Sequence, residues 1–422
     1  ASARKTWAKK KRGFEAPQGC IDAIEAAATK SFDEGMAIER EIITRLMASA
    51  QSKAQRHFFF AERQANKIPD VPKDTPLREI NKAAVLGAGT MGGGIAISAL
   101  SGGIKTALID TSDASLEQAQ ARVHKYFDRQ VSKERMTAQD RENALSCLQF
   151  STDFSAARDA DLVIEAVFED LDIKKSVFSQ LEQVISRTCH LATNTSALKV
   201  SEIASALVYP DRFCGLHYFS PAEVNPVVEV VRSDVTQDST VTATLSFLDT
   251  CRKIPIECKD QSGFALNRFF CPYTNEAARC IDDSLGSPAQ IDDVAKQVLG
   301  VTVGPFFVMN IVKPRINLAA VRNLAHLGPF YEPAYSLSAT GDADENWEIS
   351  DAPSPLGASE RQAIADRLQG AIFFAIKQEL DEEVATAGAI DLGACRAFAF
   401  AKGPVEMMRD LGADAVNTLI SS

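Results

Sequence analysis

From residue 81 onward, short apolar runs alternate with helical stretches, and after about Cys258 the strand signals fade and helices dominate. Such alternation predicts an α/β domain built on a doubly wound, mainly parallel sheet. The helical remainder matches itself at a fixed offset, which predicts an all-α C-terminal domain with an internal duplication. Residues 1–80 differ in texture from both and predict a long N-terminal linker helix.

Within residues 1–80, Ser31 and Glu34 have the S-x-x-E spacing of a capping box. Met36, Ile38, Ile42, Ile43, Leu46 and Met47 then recur at helical spacing, continuing toward Phe58-Phe59-Phe60. The face bearing Ile38, Ile42 and Leu46 is expected to pack on the following domain or on a second copy. Ile68-Pro69-Asp70-Val71-Pro72-Lys73-Asp74-Thr75-Pro76 reads as an extended linker. The run Lys9, Lys10, Lys11, Arg12 reads as a solvated end rather than a binding patch.

Strand candidates are Ala83–Leu86, Thr106–Ile109, Leu162–Ala166, Leu191–Ala192 and Phe213–Leu216, giving a sheet domain over 81–257. In the helical region the chain matches itself at an offset of 99 residues. Arg268 meets Arg367, Asp282 meets Asp381, and Ile291-Asp292 meets Ile390-Asp391. Ala295 then meets Ala394, Gly304-Pro305 meets Gly403-Pro404, and Met309 meets Met408. The copies are placed at 258–340 and 341–422.

At 422 residues, with 45% hydrophobic and 24% charged residues, the composition is that of a multidomain globular protein. The net charge of −11 argues against nucleic-acid or anionic-membrane partners. No apolar run approaches the roughly 20 residues of a membrane span, and no signal-peptide pattern opens the chain. The nine cysteines include no C-x-x-C pair and read as free thiols of a reducing compartment. Five histidines, none in ligand spacing, predict no metal.

The segment Ala83-Ala84-Val85-Leu86-Gly87-Ala88-Gly89-Thr90-Met91-Gly92 runs from a strand through G-x-G-x-x-G into a helix. Gly87 permits the tight turn, Gly89 lets backbone approach a pyrophosphate, and Gly92 allows close helix–strand packing. The helix N-terminus offers free N–H groups to phosphates. Asp110 ends the second strand candidate, 18 residues after Gly92, where a carboxylate binds ribose hydroxyls. That acid repels a 2′-phosphate, so this Rossmann pattern predicts NAD over NADP. On the motif alone, FAD and an empty glycine turn stay open.

Further on come Ile164-Glu165-Ala166-Val167-Phe168-Glu169-Asp170 with Lys174, then Thr193-Asn194-Thr195-Ser196. Gly215-Leu216-His217-Tyr218-Phe219-Ser220-Pro221 follows, with Glu229 twelve residues after the histidine, and Gly263-Phe264-Ala265-Leu266-Asn267-Arg268 opens the helical region. In these pieces, in order and over about 81–310, the chain resembles the L-3-hydroxyacyl-CoA dehydrogenase family. Residues 14–65, with Glu15-Ala16-Pro17, Glu34-Gly35 and Phe59-Phe60-Ala61-Glu62-Arg63, resemble the helix joining hydratase to dehydrogenase in its multifunctional members.

The resemblance implies that His217 is the catalytic base, a role suited to a side chain whose ordinary pKa is about 6.5. Glu229 would hold the imidazole in one tautomer, as a triad carboxylate does. Ser196 and Asn267 would bind substrate oxygens, Glu169 and Lys174 would line the cofactor site, and Lys133 would meet CoA phosphates. Each has a duller reading: a core histidine, a solvent-facing strand glutamate, a capping serine or asparagine, a surface lysine. Their joint occurrence weighs against it. Ser220 stands where single-function members carry Asn, and Asn225 where Met is usual, which bears on acyl preference. The region 310–350, with Tyr331, Tyr335 and Trp347, also departs from the family and is expected to shape an acyl pocket.

The implied reaction is NAD-dependent oxidation of (S)-3-hydroxyacyl-CoA to 3-oxoacyl-CoA in fatty-acid β-oxidation. The rivals are another Rossmann-plus-helical hydroxy-acid dehydrogenase and a non-catalytic scaffold on the same fold. The resemblance also implies a hydratase domain in a longer parent, and leaves a thiolase partner or self-association open. The ending Leu419-Ile420-Ser421-Ser422 is not an S-K-L address, so a bacterial cytoplasm is expected, or a peroxisome in a eukaryote.

Overall fold

The computed structural model describes residues 2–11, 14–49, 51–53, 55, 56 and 78–421. They divide into two compact units, Ala1–Gln64 and Ala65–Ser422. Phe58-Phe59-Phe60, the proline-rich segment 68–76 and Arg12 lie outside the described residues.

The first unit contains the helices Ser2–Lys10, Ala16–Thr29 and Phe32–Ala48. The capping box forms as expected, with the Ser31 N–H and hydroxyl both donating to Glu34 Oε2, at 3.1 and 2.8 Å. Instead of one long helix there is a helical hairpin: Lys30 and Ser31 are extended between Ala16–Thr29 and Phe32–Ala48, and Ser49 turns extended after Ala48. The apolar face packs on the preceding helix of the same unit. A Cβ added at Gly19 would fall 2.9 Å from Leu46 Cδ1 and 3.0 Å from Ile42 Cγ2, so this glycine admits both side chains.

In the second unit, the strands are β1 (Lys82–Leu86), β2 (Lys105–Ile109), β3 (Leu148–Ser151), β4 (Leu162–Glu165), β5 (His190–Thr193), β6 (Phe213–Tyr218), β7 (Val227–Arg232) and β8 (Ile254–Lys259). They form one sheet in the order β3-β2-β1-β4-β5-β6-β7-β8. All pairs are parallel except β6–β7, which is antiparallel. Every strand candidate is realised, and β3, β7 and β8 are additional. The chain moves outward on both sides of β1, so a cleft opens beyond the carboxyl ends of β1 and β4. One core cluster gathers Val85, Leu108, Ile164, Ala192, Leu216 and Val230 from the sheet with Ile95, Ala99, Val241 and Phe247 from its helices.

The duplication appears in the helical region as repeated geometry. Asp292 accepts from the N–H groups of Phe306 (2.8 Å) and Phe307 (3.1 Å). At the offset of 99, Asp391 accepts from Val405 (2.7 Å) and Glu406 (3.1 Å). Each aspartate satisfies the orphan donors that open a helix, Pro305–Val312 or Pro404–Leu411. Gly304 and Gly403 let it come close, since an added Cβ would lie 2.3 or 2.2 Å from the carboxyl carbon. Burial pushes both aspartates up to about 6, against the pull of the donors. The left-handed residues pair likewise: Ser284 with Glu383, Gly300 with Ala399, Lys313 with Gly412. The two copies also exchange ion pairs crosswise, Arg268 with Glu382 (2.7 Å) and Arg367 with Asp283 (2.6 Å).

The region 310–350 departs from expectation. Tyr331 and Trp347 are buried, one bonded to Gln378 at 2.5 Å and the other edge-on to Phe306 at 4.8 Å. Tyr335 is 82% exposed. Two of the three aromatics therefore serve the helical core instead of an acyl pocket.

Candidate active site

The glycine turn follows β1. Gly87 has φ +97°, and a Cβ there would sit 2.5 Å from the Ala166 carbonyl oxygen. A Cβ at Gly92 would strike the Gly87 carbonyl oxygen at 1.8 Å, so the first turn of the helix Thr90–Ser101 requires glycine there. At Gly89 an added Cβ would meet nothing within 4 Å, leaving the backbone open to an approaching phosphate. Asp110, at the end of β2, accepts from the Ala88 N–H at 2.7 Å and from Ser112 at 2.9 Å. Its carboxylate shapes the glycine turn and keeps lone pairs for ribose hydroxyls. The residues present thus fit a dinucleotide.

Beside this turn lies a buried polar knot at the ends of β4 and β5. Lys174 Nζ, 1% exposed, is 2.6 Å from Glu165 Oε1 and 3.1 Å from Glu169 Oε2. Glu165 also accepts from Thr193 Oγ1 at 2.6 Å. Glu169 reaches the surface and accepts from Thr195 Oγ1 (2.6 Å) and the Ser196 N–H (2.9 Å). Lys174 is therefore spent on two carboxylates and bears on the cleft through Glu169. Glu165 and Thr193, given no role from the sequence, hold it there. Lys133 is exposed at the end of the helix Asp113–Ser132.

His217 and Glu229 are register partners across β6 and β7. The twelve-residue spacing is what that antiparallel pairing requires, and it brings His217 Nδ1 to 2.6 Å from Glu229 Oε2. Glu229 is fully buried, which removes the solvent-facing reading. Its other oxygen, Oε1, accepts from the N–H groups of Ala265 (2.9 Å) and Leu266 (2.8 Å), where the helix Leu266–Asp282 begins. The free donors of a helix start thereby lock the carboxylate that orients the imidazole. Asn267 is the next residue of that helix and is half-buried, as is Ser196. Asn194, from the same polar cluster as Ser196, accepts from the Tyr218 N–H at 2.8 Å and ties the cluster to β6.

Residues 82–261 match the family model of the 3-hydroxyacyl-CoA dehydrogenase NAD-binding domain, and residues 263–345 that of the C-terminal domain. The (S)-3-hydroxybutyryl-CoA dehydrogenase of Ralstonia eutropha is 30% identical over 64% of this chain and 100% of its own, with a TM-score of 0.61. The chain belongs to the 3-hydroxyacyl-CoA dehydrogenase family. Its cofactor domain is the family's NAD-binding domain.

An Escherichia coli 3-hydroxybutyryl-CoA dehydrogenase shares the fold, with a TM-score of 0.73 at 23% identity, covering 82% of this chain and 94% of its own. The fatty acid oxidation complex subunit alpha of Shewanella baltica is 35% identical over 72% of this chain. The chain spans 43% of that relative's length. Among the described residues, no helix is long and apolar enough to cross a membrane.

Proposed function

We propose that this 3-hydroxyacyl-CoA dehydrogenase family member oxidises (S)-3-hydroxyacyl-CoA to 3-oxoacyl-CoA with NAD⁺, releasing NADH and a proton, and runs in reverse with NADH. The carrying observation is the buried His217–Glu229 pair at 2.6 Å. With Nδ1 engaged, Nε2 is the nitrogen that takes the proton of the substrate's 3-hydroxyl. Glu229 keeps the ring in that tautomer and stabilises the imidazolium that forms. Ser196 and Asn267 bind the substrate's oxygens and orient C3. Gly87, Gly89, Gly92 and Asp110 hold the dinucleotide, with Glu169, braced by Lys174, at its edge. The bound dinucleotide supplies the hydride acceptor.

The named relatives are bacterial, which supports a cytoplasmic place in fatty-acid β-oxidation. The Shewanella relative's name supports assembly as a subunit of a larger complex. Oxidation of NADH with acetoacetyl-CoA, followed at 340 nm, tests the reading. Turnover is expected. Activity confined to a hydroxy acid lacking CoA would move the chain to another dehydrogenase class, and NADH binding without turnover on any substrate would make it a scaffold.

A further inference from the structure

A line of aromatic rings leads away from the catalytic histidine, and part of it comes from the second helical copy. His217 lies 4.6 Å, centroid to centroid, from Phe219. Phe219 meets the edge of Phe398 at 5.5 Å, and Phe398 stacks on Phe270 at 3.9 Å with the planes 19° apart. Phe270 follows Asn267 by three residues on one helix, so both fall on the same side of it. Phe270 and Phe398 are only half-buried, and Phe219 is 8% exposed. A partly exposed run of aromatic rings thus leads from His217.

The position of Phe398 is built. In the first copy its counterpart at the offset of 99 is Leu299, 1% exposed and part of the core. Phe398 is instead half-buried against Phe219 and Phe270. The next residue, Ala399, has φ +58° where the first copy has Gly300 at +65°. A residue with a Cβ is strained in that region, and such strain persists where surrounding contacts impose it. One contact comes from the loop between β6 and β7. Asn225 Nδ2 donates to the Ala397 carbonyl at 3.2 Å across 172 residues of sequence, while its own Oδ1 accepts from Val227 at 3.1 Å. Lys253 Nζ donates to the Asn225 carbonyl at 2.8 Å. Asn225 is therefore held at both ends and fastens the residue before Phe398.

We propose that Phe398, with Phe219 and Phe270, forms the wall that binds the acyl chain of the substrate beyond its reacting carbons, and that Asn225 positions it. This rests on the reading of the chain as a 3-hydroxyacyl-CoA dehydrogenase. The wall is apolar along its length, so each added methylene leaves water against it and longer acyl groups gain affinity. The second helical copy then contributes directly to specificity in the single site.

The test is a calorimetric titration of saturated acyl-CoAs, from butyryl to dodecanoyl, against the whole chain. Affinity for the wild type should rise with acyl length. Phe398→Ala should remove roughly tenfold of the gain between the shortest and longest ligands. Phe398→Leu should remove less. Asn225→Met, which deletes no ring but removes the tie that positions Phe398, should remove about threefold, and it carries the test should Phe398→Ala fail to fold. A wild-type affinity independent of length, or variants shifted equally at all lengths, would overturn the proposal. Binding is read without turnover, so acyl-CoA binding by a chain inactive toward NADH would sink the proposed reaction and leave the wall intact.

Discussion

In the first helical copy, the N–H groups of Ala265 and Leu266 are free to meet Glu229 because the helix Leu266–Asp282 begins there. Their counterparts at the offset of 99, Ile364 and Ala365, lie a turn and a half inside the longer helix Ala358–Asp381. Inside a helix those N–H groups close intrahelical bonds and have nothing to offer a carboxylate. Asn267 is matched by Asp366, which accepts from Gln362 one turn back on its own surface. The skeleton, by contrast, is held in common: Asp292 and Asp391 cap alike, and Arg268 and Arg367 cross-pair alike. Duplicating the helices therefore duplicated the packing without duplicating the site, because the site depends on where a helix starts.

The sharpest way to break this comparison is to remove the imidazole paired with Glu229. His217→Gln should lower kcat by roughly two to four orders of magnitude, the loss associated with a positioned general base. NADH affinity should change little, since the glycine turn and Asp110 lie on other strands. Turnover near that of the wild type would mean a second base operates and that one site per chain is wrong.

A smaller effect separates the two copies directly. Asn267→Ala should reduce kcat/KM by an amount corresponding to about 1–3 kcal/mol, the range for a hydrogen bond in a buried setting. Asp366→Ala should leave kcat/KM where it was, changing at most the urea midpoint. Comparable losses in kcat/KM from the two substitutions would show that the second copy presents this residue to the substrate as well.

Local patterns were legible in the sequence wherever neighbours along the chain do the work. The glycine turn needs only a strand, three glycines and a helix, and His217 with Glu229 needs only two strands paired at a twelve-residue spacing. The strands that escaped notice did so for physical reasons. β8 contains Pro255, which argues against a strand interior, yet β8 is the last strand of the sheet and an edge tolerates a missing N–H. β3 is short, lies at the other edge and has no fully buried residue, so it lacks an apolar signature. Glu229 breaks the apolar run of β7, because that strand buries a carboxylate held by His217 and by the N–H groups of Ala265 and Leu266.

What stayed illegible was contact between distant residues. Lys174 reads as a surface lysine until Glu165 and Glu169 close on it. Phe398 carries no sign of its place beside Phe219, since folding alone brings the second copy there. The N-terminal helix announces its start through Ser31 and Glu34, whereas its end at Ala48 falls inside an unbroken apolar periodicity. Its partner helix, Ala16–Thr29, contains Pro17 and Gly19, and both residues mask a helical pattern.

The smallest expected effect tests what the second copy sacrifices. Glu379 is the counterpart of Cys280, and both are fully buried. The cysteine suits that environment, whereas both oxygens of Glu379 have no hydrogen-bond partner among the described residues. Burial raises its carboxyl well above the usual range, with Arg268 opposing and Glu229 and Glu382 adding to the rise. The folded chain therefore keeps a proton that the unfolded chain releases above about pH 4.3. Stability from this group is fully present below that pH and is lost as pH rises toward the folded value. Glu379→Gln has nearly the same volume and no proton to lose, so it should stabilise the chain increasingly with pH. The gain should be distinctly larger at pH 8 than at pH 5, measured by urea unfolding. A difference from wild type that is the same at both pH values would mean that Glu379 is ionised in the fold and paired, and that the second copy has a buried charge site the first copy lacks.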